Sequence, residues 1–213
     1  MTDTAFLDFA DLDGATRYKL LISTIVPRPI AWVTTVDHGG RVNAAPFSFF
    51  NVLVGDPPII AVSIGRRPGG GGPKDTSALI RATGEFVVNL VGYEQRTQMN
   101  VTATDFPADE TEIDPAGLDL APSRFVAPPR IAAAPVSLET RVHQLIEIGE
   151  NTIVLGEVVA MHIRDAAFDR ERFHVDTAAL DLVGRMGGGG GYVRTTDTFE
   201  IPRLSYAEWR ARP

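Results

Sequence analysis

Runs of apolar residues, punctuated by Gly, Pro, Asn and Asp, divide the chain into short segments. The first twenty residues are acidic and polar and turn apolar at Tyr18-Lys19-Leu20-Leu21-Ile22, which fits a short helix or a docking arm. Residues 30–36 are β-branched and aromatic and predict a strand. Asp37-His38-Gly39-Gly40 is a turn signal, and the return over 41–46 makes residues 29–46 a hairpin. After an aromatic loop, Pro57-Pro58 opens a continuous apolar strand over 59–64. A glycine-rich loop spans 65–73. A short helix over 74–81 comes next, with Asp75 or Thr76 near its N-cap. Gly84 ends that helix, and 85–91 is another strand. Residues 93–100 predict a helix and 101–120 an acidic, irregular excursion. Alternation over 136–148 marks a strand buried on one face. A turn at Asn151-Thr152 returns the chain along 153–163, completing a long hairpin. A second glycine run, 187–191, precedes Tyr192-Val193-Arg194-Thr195.

Roughly six strands joined by hairpins, with few helices between them, favour an antiparallel barrel over a parallel α/β sheet. No linker, composition break or repeat interrupts the 213 residues, so one domain over 1–213 is expected.

Composition narrows the functions. Apolar residues make up 44% and charged residues 22%, as in an ordinary globular protein. A net charge of −7 argues against a nucleic-acid binder, which needs a basic excess to neutralise phosphates. Absence of Cys removes disulfides, thiolate metal sites and thiol nucleophiles. The first residues lack a signal-peptide pattern, and no apolar stretch reaches the roughly 20 residues that span a bilayer. A soluble, cytoplasmic protein without membrane or nucleic-acid contact is expected.

Neither glycine run carries a nucleotide-binding motif. Lys74 lies between Pro73 and Asp75, which breaks the P-loop pattern. Tyr192 stands where a dinucleotide fingerprint needs its third glycine. The tip over 69–72 is expected to be a flexible loop. The residues after that tip are more informative. Lys74, Asp75, Thr76 and Ser77 place a cation, hydroxyls and free N–H groups at a helix start, a ready phosphate site. Arg66 and Arg67 could add charge from across the loop. The stretch 43–51 is the second unusual segment. Phe47, Phe49 and Phe50 can plug the core, or with Ser48 and Asn51 offer a flat ligand an apolar face and a polar rim.

The four histidines, His38, His143, His162 and His174, show no metal-ligand spacing, and no metal site is expected. Acidic pairs such as Asp109-Glu110 and Asp11-Asp13 fit solvated faces. No Gly-x-Ser-x-Gly elbow is present. With no evident catalytic side chain, any chemistry belongs to a bound cofactor.

In order along the chain, Arg28-Pro29-Ile30-Ala31-Trp32-Val33-Thr34-Thr35, then 43–51, Asp56-Pro57-Pro58, Lys74-Asp75-Thr76 and Glu85-Phe86-Val87-Val88-Asn89-Leu90 resemble the flavin reductase-like family of FMN-binding proteins. Ala127-Pro128-Pro129-Arg130-Ile131, Gly156-Glu157-Val158 and Gly184-Arg185-Met186-Gly187-Gly188 extend the likeness over 28–188. The resemblance implies a mainly β fold, an antiparallel split β-barrel of the Greek-key, FMN-binding type with a few short helices. It implies a homodimer with FMN near the interface, NADH or NADPH as electron donor, and in some members a separate monooxygenase component as partner. Carried onto this chain, Phe47, Ser48, Phe49 and Asn51 would line the isoalloxazine, with Trp32 packed nearby. Ser63 would lie along the ribityl chain, and Lys74, Asp75 and Thr76 would hold the phosphate. Arg185 and Tyr192 match a stretch that approaches the flavin in some relatives.

Three functions fit this reading: an NAD(P)H:flavin reductase, a non-catalytic flavoredoxin-like electron carrier, and a barrel that binds some other ligand. For assembly, Val142, Leu145, Val158 and Met161 are read as outward-facing apolar positions on the long hairpin, which a dimer would cover. The alternative is that they face the barrel interior.

Overall fold

The structure, a computed structural model, describes residues 3–67, 69, 71–107 and 110–211. Asp109 of the expected acidic pair and Gly70 of the expected loop tip lie outside the described residues.

Helix α1 (Gly14–Thr24) comes first, capped by Asp13, whose carboxylate accepts from the Thr16 amide at 2.8 Å and the Thr16 hydroxyl at 2.9 Å. Asp13 is thus a helix cap, and its carboxyl sits below the usual range chiefly because of those bonds. The strands β1 (Ala31–Val36), β2 (Val42–Phe47), β3 (Phe50–Val54) and β4 (Ile59–Gly65) succeed it. Helix α2 (Asp75–Thr83), β5 (Glu85–Leu90), a 3-10 turn at Tyr93–Gln95 and α3 (Arg96–Val101) come next. Short β6 (Leu120–Ala121) and β7 (Arg130–Ile131) pair with each other. The long hairpin is β8 (Val136–Ile148) and β9 (Asn151–Ile163). The tail holds β10 (Phe168–Asp169), β11 (His174–Val175), α4 (Thr177–Leu180), β12 (Val183–Met186), β13 (Gly191–Arg194) and α5 (Tyr206–Arg210).

Most expected elements are present, and two boundaries move for local reasons. The long hairpin turns at Gly149-Glu150, two residues before the expected Asn151-Thr152. Gly149 has φ of 56°, a left-handed conformation that favours glycine, and Asn151 already pairs with Ile148. The expected aromatic loop is mostly strand. The chain turns at Ser48-Phe49 and re-enters the sheet as β3, paired with β4 from Phe50.

The principal sheet has seven antiparallel strands in the order β2-β1-β5-β8-β9-β4-β3. Laid flat, six interstrand spacings of about 4.8 Å would hold its edges roughly 29 Å apart. Yet the edge strands β2 and β3 are joined through Ser48-Phe49, so Phe47 and Phe50 lie at most about 11 Å apart. The sheet must therefore curl until its edges meet at that turn. No ladder joins β2 to β3, so the expected barrel is not closed. An open, curled sheet with a seam between β2 and β3 takes its place.

The curl gives two cores. Inside pack Ala31, Val33, Ile60, Val62, Phe86, Val88, Leu138 and Val154, plugged by Ile80 of α2. Outside pack Trp32, Ala44, Val91, Met99, Ile113 and Ile131 under the 101–131 excursion. Because β1 and β5 are covered on both faces, they read as continuous apolar runs. Asn89, fully buried, ties the layers together. Its amide donates to the Trp32 carbonyl at 3.0 Å and accepts from Ile131 N at 3.0 Å and Ser137 Oγ at 2.8 Å.

The outward apolar face expected on the long hairpin is mostly not there. Val142, Leu145 and Val158 pack against the inner core, and only Met161 of the four is exposed. Alternation alone does not say which face of a curled strand is concave, and here the apolar face is. Among the described residues, no helix is long and apolar enough to cross a membrane.

Candidate functional site

The seam is where the site forms. A cavity of about 430 Å³ opens there, walled by Leu21 of α1, Ile25 just past its end, Phe49 of the turn, Phe50 of β3 and Ile153 of β9. Its polar groups are few: Ser48, Asn51, Ser63 and Arg28. Asn51 and Ser63 sit on the paired strands β3 and β4, and the Ser63 hydroxyl accepts from Asn151 Nδ2 at 2.9 Å. The Phe49 carbonyl is held by Ser63 N at 2.8 Å, and its ring lies 6.1 Å from that of Tyr18. Helix α1 thus roofs the cavity.

Arg28 fixes that roof. Nearly enclosed, its guanidinium donates to the Ile22 carbonyl at 2.5 Å, the Ile25 carbonyl at 3.1 Å and the Gly187 carbonyl at 3.0 Å. Its Nε faces Ser48 Oγ at 3.4 Å. One side chain therefore holds the end of α1, the seam turn and the second glycine run.

A second, polar cavity of about 170 Å³ adjoins Phe47, the residue before Ser48. It is lined by Lys74, Asp75 and Thr76 at the start of α2, with Arg67, Asn43 and Glu112. Lys74 is the N-cap, one residue earlier than expected, and makes no side-chain cap bond. The amides of the first turn of α2 have no intrahelical acceptor and carry the positive end of the helix dipole. Lys74 Nζ sits 5.9 Å from the Phe47 ring centre. Arg67 pairs with Asp75 at 2.5 Å. Arg66 turns away to Glu150 at 3.3 Å and lines neither cavity. Between them the loop pinches shut, with Arg67 N donating to the Gly72 carbonyl at 3.0 Å and Arg66 bridged to Pro73.

Glu112 is the unexpected wall residue. Burial pushes its carboxyl up from the usual range, against hydrogen bonds from its own amide and from Ala44, with Asp75 adding repulsion. Oriented to satisfy its neighbours, the Asn43 amide donates to Glu112 Oε1 at 3.3 Å and accepts from Thr76 Oγ1 at 3.0 Å.

Eight of the residues proposed from sequence line these two cavities: Phe47, Lys74, Asp75 and Thr76 the polar one, and Ser48, Phe49, Asn51 and Ser63 the apolar one. The other three do not. Trp32 is fully enclosed in the outer core, its indole N–H donating to Thr102 Oγ1 at 2.9 Å, so no surface of it is left for a ligand. Arg185 and Tyr192 face each other across the β12–β13 hairpin, the guanidinium 4.6 Å from the ring centre. Their hairpin reaches the site only through its backbone, where Arg185 and Arg28 exchange hydrogen bonds of 2.8 and 3.0 Å.

Sequence reasoning missed Arg28, Asn43 and Glu112 as wall residues. Arg28 and Asn43 stood inside the quoted motifs. Glu112 sat in an acidic stretch with nothing to mark it as buried.

Residues 23–180 match the flavin reductase like domain. The chain is 49% identical over 215 aligned positions to an uncharacterized protein of Deinococcus radiodurans, covering 99% of this chain and 94% of that one. Among solved structures it resembles 2-nitrobenzoate 2-nitroreductase of Pseudomonas fluorescens, at 32% identity and TM-score 0.87, covering 95% of this chain and 98% of that one. It also resembles nitrilotriacetate monooxygenase component B of Bacillus cereus, at 29% identity and TM-score 0.88, covering 94% of this chain and all (100%) of that one. The neighbours also include a Shewanella frigidimarina protein with a split barrel domain, at 22% identity and TM-score 0.77, covering 92% of this chain and 95% of that one. With a matched domain spanning most of its length, the chain belongs to the flavin reductase-like family.

Proposed function

We propose that the protein binds FMN across the two cavities and acts as an oxidoreductase, taking hydride from NADH or NADPH. The observation that carries this is the step from Phe47 to Ser48, where a polar cavity with a cation and a helix start gives way to an apolar one with a polar rim. A flavin mononucleotide has that shape: a flat ring with a polar edge, then a phosphate tail. The apolar volume lies within the usual range for ligand sites, and its few hydroxyls and amides suit the ring edge. When bound, the flavin supplies the hydride-accepting ring, so no nucleophile or metal is required of the protein.

The side chains then have separable tasks. Leu21, Ile25 and Phe49 exclude water from one face of the ring. Ser48, Asn51 and Ser63 orient its edge and the sugar alcohol. Lys74, Thr76 and the first amides of α2 hold the phosphate, while Arg67 keeps Asp75 from opposing it. Burial of Glu112 at the same wall disfavours its charged form. Likeness to a nitroreductase and to a monooxygenase component supports two outlets for the electrons: a bound organic acceptor or a partner monooxygenase.

We also propose a homodimer, supported by the exposed apolar edge strand Val52, Leu53 and Val54 beside the apolar cavity. The function is tested by recording the visible spectrum of the purified protein with added FMN, then mixing it rapidly with NADH and NADPH. A flavin band that bleaches with either donor is expected. A protein that binds no FMN overturns the reading, and one that binds it without bleaching is an electron carrier instead.

A further inference from the structure

Thr195 makes the last bonds to the body, its N and Oγ1 both donating to the Leu182 carbonyl. Among the described residues, no hydrogen bond, ion pair, ring contact or core membership joins 196–211 to the rest. Yet this segment carries Phe199, Ile201, Leu204, Tyr206 and Trp209, with Phe199 84% and Ile201 80% exposed.

It is also built to hold a shape. Ser205 and Glu208 form a capping box: Ser205 N and Oγ both lie 2.7 Å from Glu208 Oε2, and Glu208 N donates back to Ser205 Oγ at 3.3 Å. The rings of Tyr206 and Trp209 stack at 5.8 Å. A five-residue helix is unstable in water without packing. In this copy its rings are only partly covered, with Tyr206 74% and Trp209 58% exposed.

A matching surface lies at β3. It is the edge strand of the sheet, so one side of its backbone is unpaired. Val52, Leu53 and Val54 are all exposed. A bulge at Leu53, with Val52 opposite Ile60 and Val54 opposite Ile59, breaks the regular alternation and leaves an exposed apolar stretch along the unpaired edge. An extended arm with alternating apolar residues suits such an edge. The chain's own arm leaves β3 bare. Every copy carries one arm and one bare edge, and a two-fold pair satisfies both at once.

We propose that the C-terminal arm, residues 196–211, packs across the β3 edge of a second copy of this chain, which returns its own arm in the same way. The arm's Phe199-Glu200-Ile201 alternates as a strand added to an edge must, and Pro202 then ends any pairing. Because β3 also supplies Phe50 and Asn51 to the apolar cavity, the arm would close one side of that cavity from the partner. The inference rests on the dimer reading above, and not on flavin.

The two tryptophans make it testable. Trp32 is fully enclosed and Trp209 is 58% exposed, so iodide quenching of the purified full-length protein reads Trp209. Mass is measured in parallel by sedimentation across a dilution series. We expect a dimer in which Trp209 is shielded, with shielding lost on dilution in step with the mass. Trp209→Ala on the arm and Leu53→Glu on the edge should each weaken dimerisation by about tenfold or more, and the double variant no further. Ending the chain at Thr195 should do the same. A dimer whose Trp209 stays fully quenchable, or whose dissociation constant is unmoved by either point variant, overturns the arm while leaving the dimer. A monomer at every concentration overturns both. Neither readout uses the flavin band, so a failure to bind FMN is seen separately in the visible spectrum.

Discussion

At the scale of single residues, the same cavity holds one group that the sequence announces and one that it hides. Lys74, one of two lysines among 20 basic residues, stands at a helix start after a glycine loop, and local pattern alone makes it a candidate anion ligand. Lys74→Ala should weaken FMN binding about ten- to hundred-fold, from the loss of a charge-assisted bond worth roughly 1.5–3 kcal/mol. Riboflavin, lacking the phosphate, should bind as before, and titration with both ligands checks this. Glu112 reads as a solvated acid because its neighbours in sequence are polar, and only the packing of the excursion against β2 buries it. Its raised pKa means the folded state holds a proton that the unfolded chain, near 4.5, has released. Stability therefore falls as pH rises from about 4.5 through the folded value. Glu112→Gln should match the wild type below about pH 4.5 and be the more stable above it, as thermal melts across pH would show.

At the scale of elements, the strands that read clearly are those whose pattern is decided locally. The first arm of the long hairpin carries alternation, and β1 and β5 carry continuous apolar runs. β3 was illegible because Phe49-Phe50 next to Ser and Asn looks like a loop plug. Its strand character comes from pairing with β4, which no local signal announces. Gly156 of β9 shows the reverse case, a motif residue whose reason appears only in packing. A Cβ there would collide with Thr140 Cγ2 and stand 2.6 Å from Phe86 Cζ. Gly156→Ala should destabilise the protein by about 1–3 kcal/mol, the usual cost of overpacking. Denaturant unfolding with the flavin removed should measure that loss.

At the scale of the whole molecule, buried polar groups pin the loops to the curled sheet. Glu139, fully enclosed on β8, accepts from Arg124 N at 2.8 Å, Phe125 N at 2.6 Å and His162 Nε2 at 2.6 Å. Burial alone would raise its carboxyl, but the bonds from His162 and the two amides outweigh it and hold it below the usual range. Its contribution is thus present above the unfolded value near 4.5 and lost as pH falls through the folded one. Glu139→Gln turns an amide nitrogen toward a buried donor, which should cost about 1–3 kcal/mol at neutral pH. The deficit should shrink on acidification below about pH 4.5, and urea unfolding at several pH values would reveal it.

What the sequence determined by itself is whatever depends on neighbours along the chain: the hairpins, the start of α2 to within a residue or two, the cation there and the order of motifs that marks the family. Short-range sterics and hydrogen bonding decide those features before any tertiary contact forms. Which face of β8 and β9 is concave, the enclosure of Trp32, the burial of Glu112 and the bridging role of Arg28 depend instead on segments far apart in sequence. The sheet curls because Ser48-Phe49 ties its two edges together, and that closure brings the cavities side by side. A pattern of apolar positions records which residues are buried. It holds no record of which distant strand does the burying, so those features were decided by the tertiary structure alone.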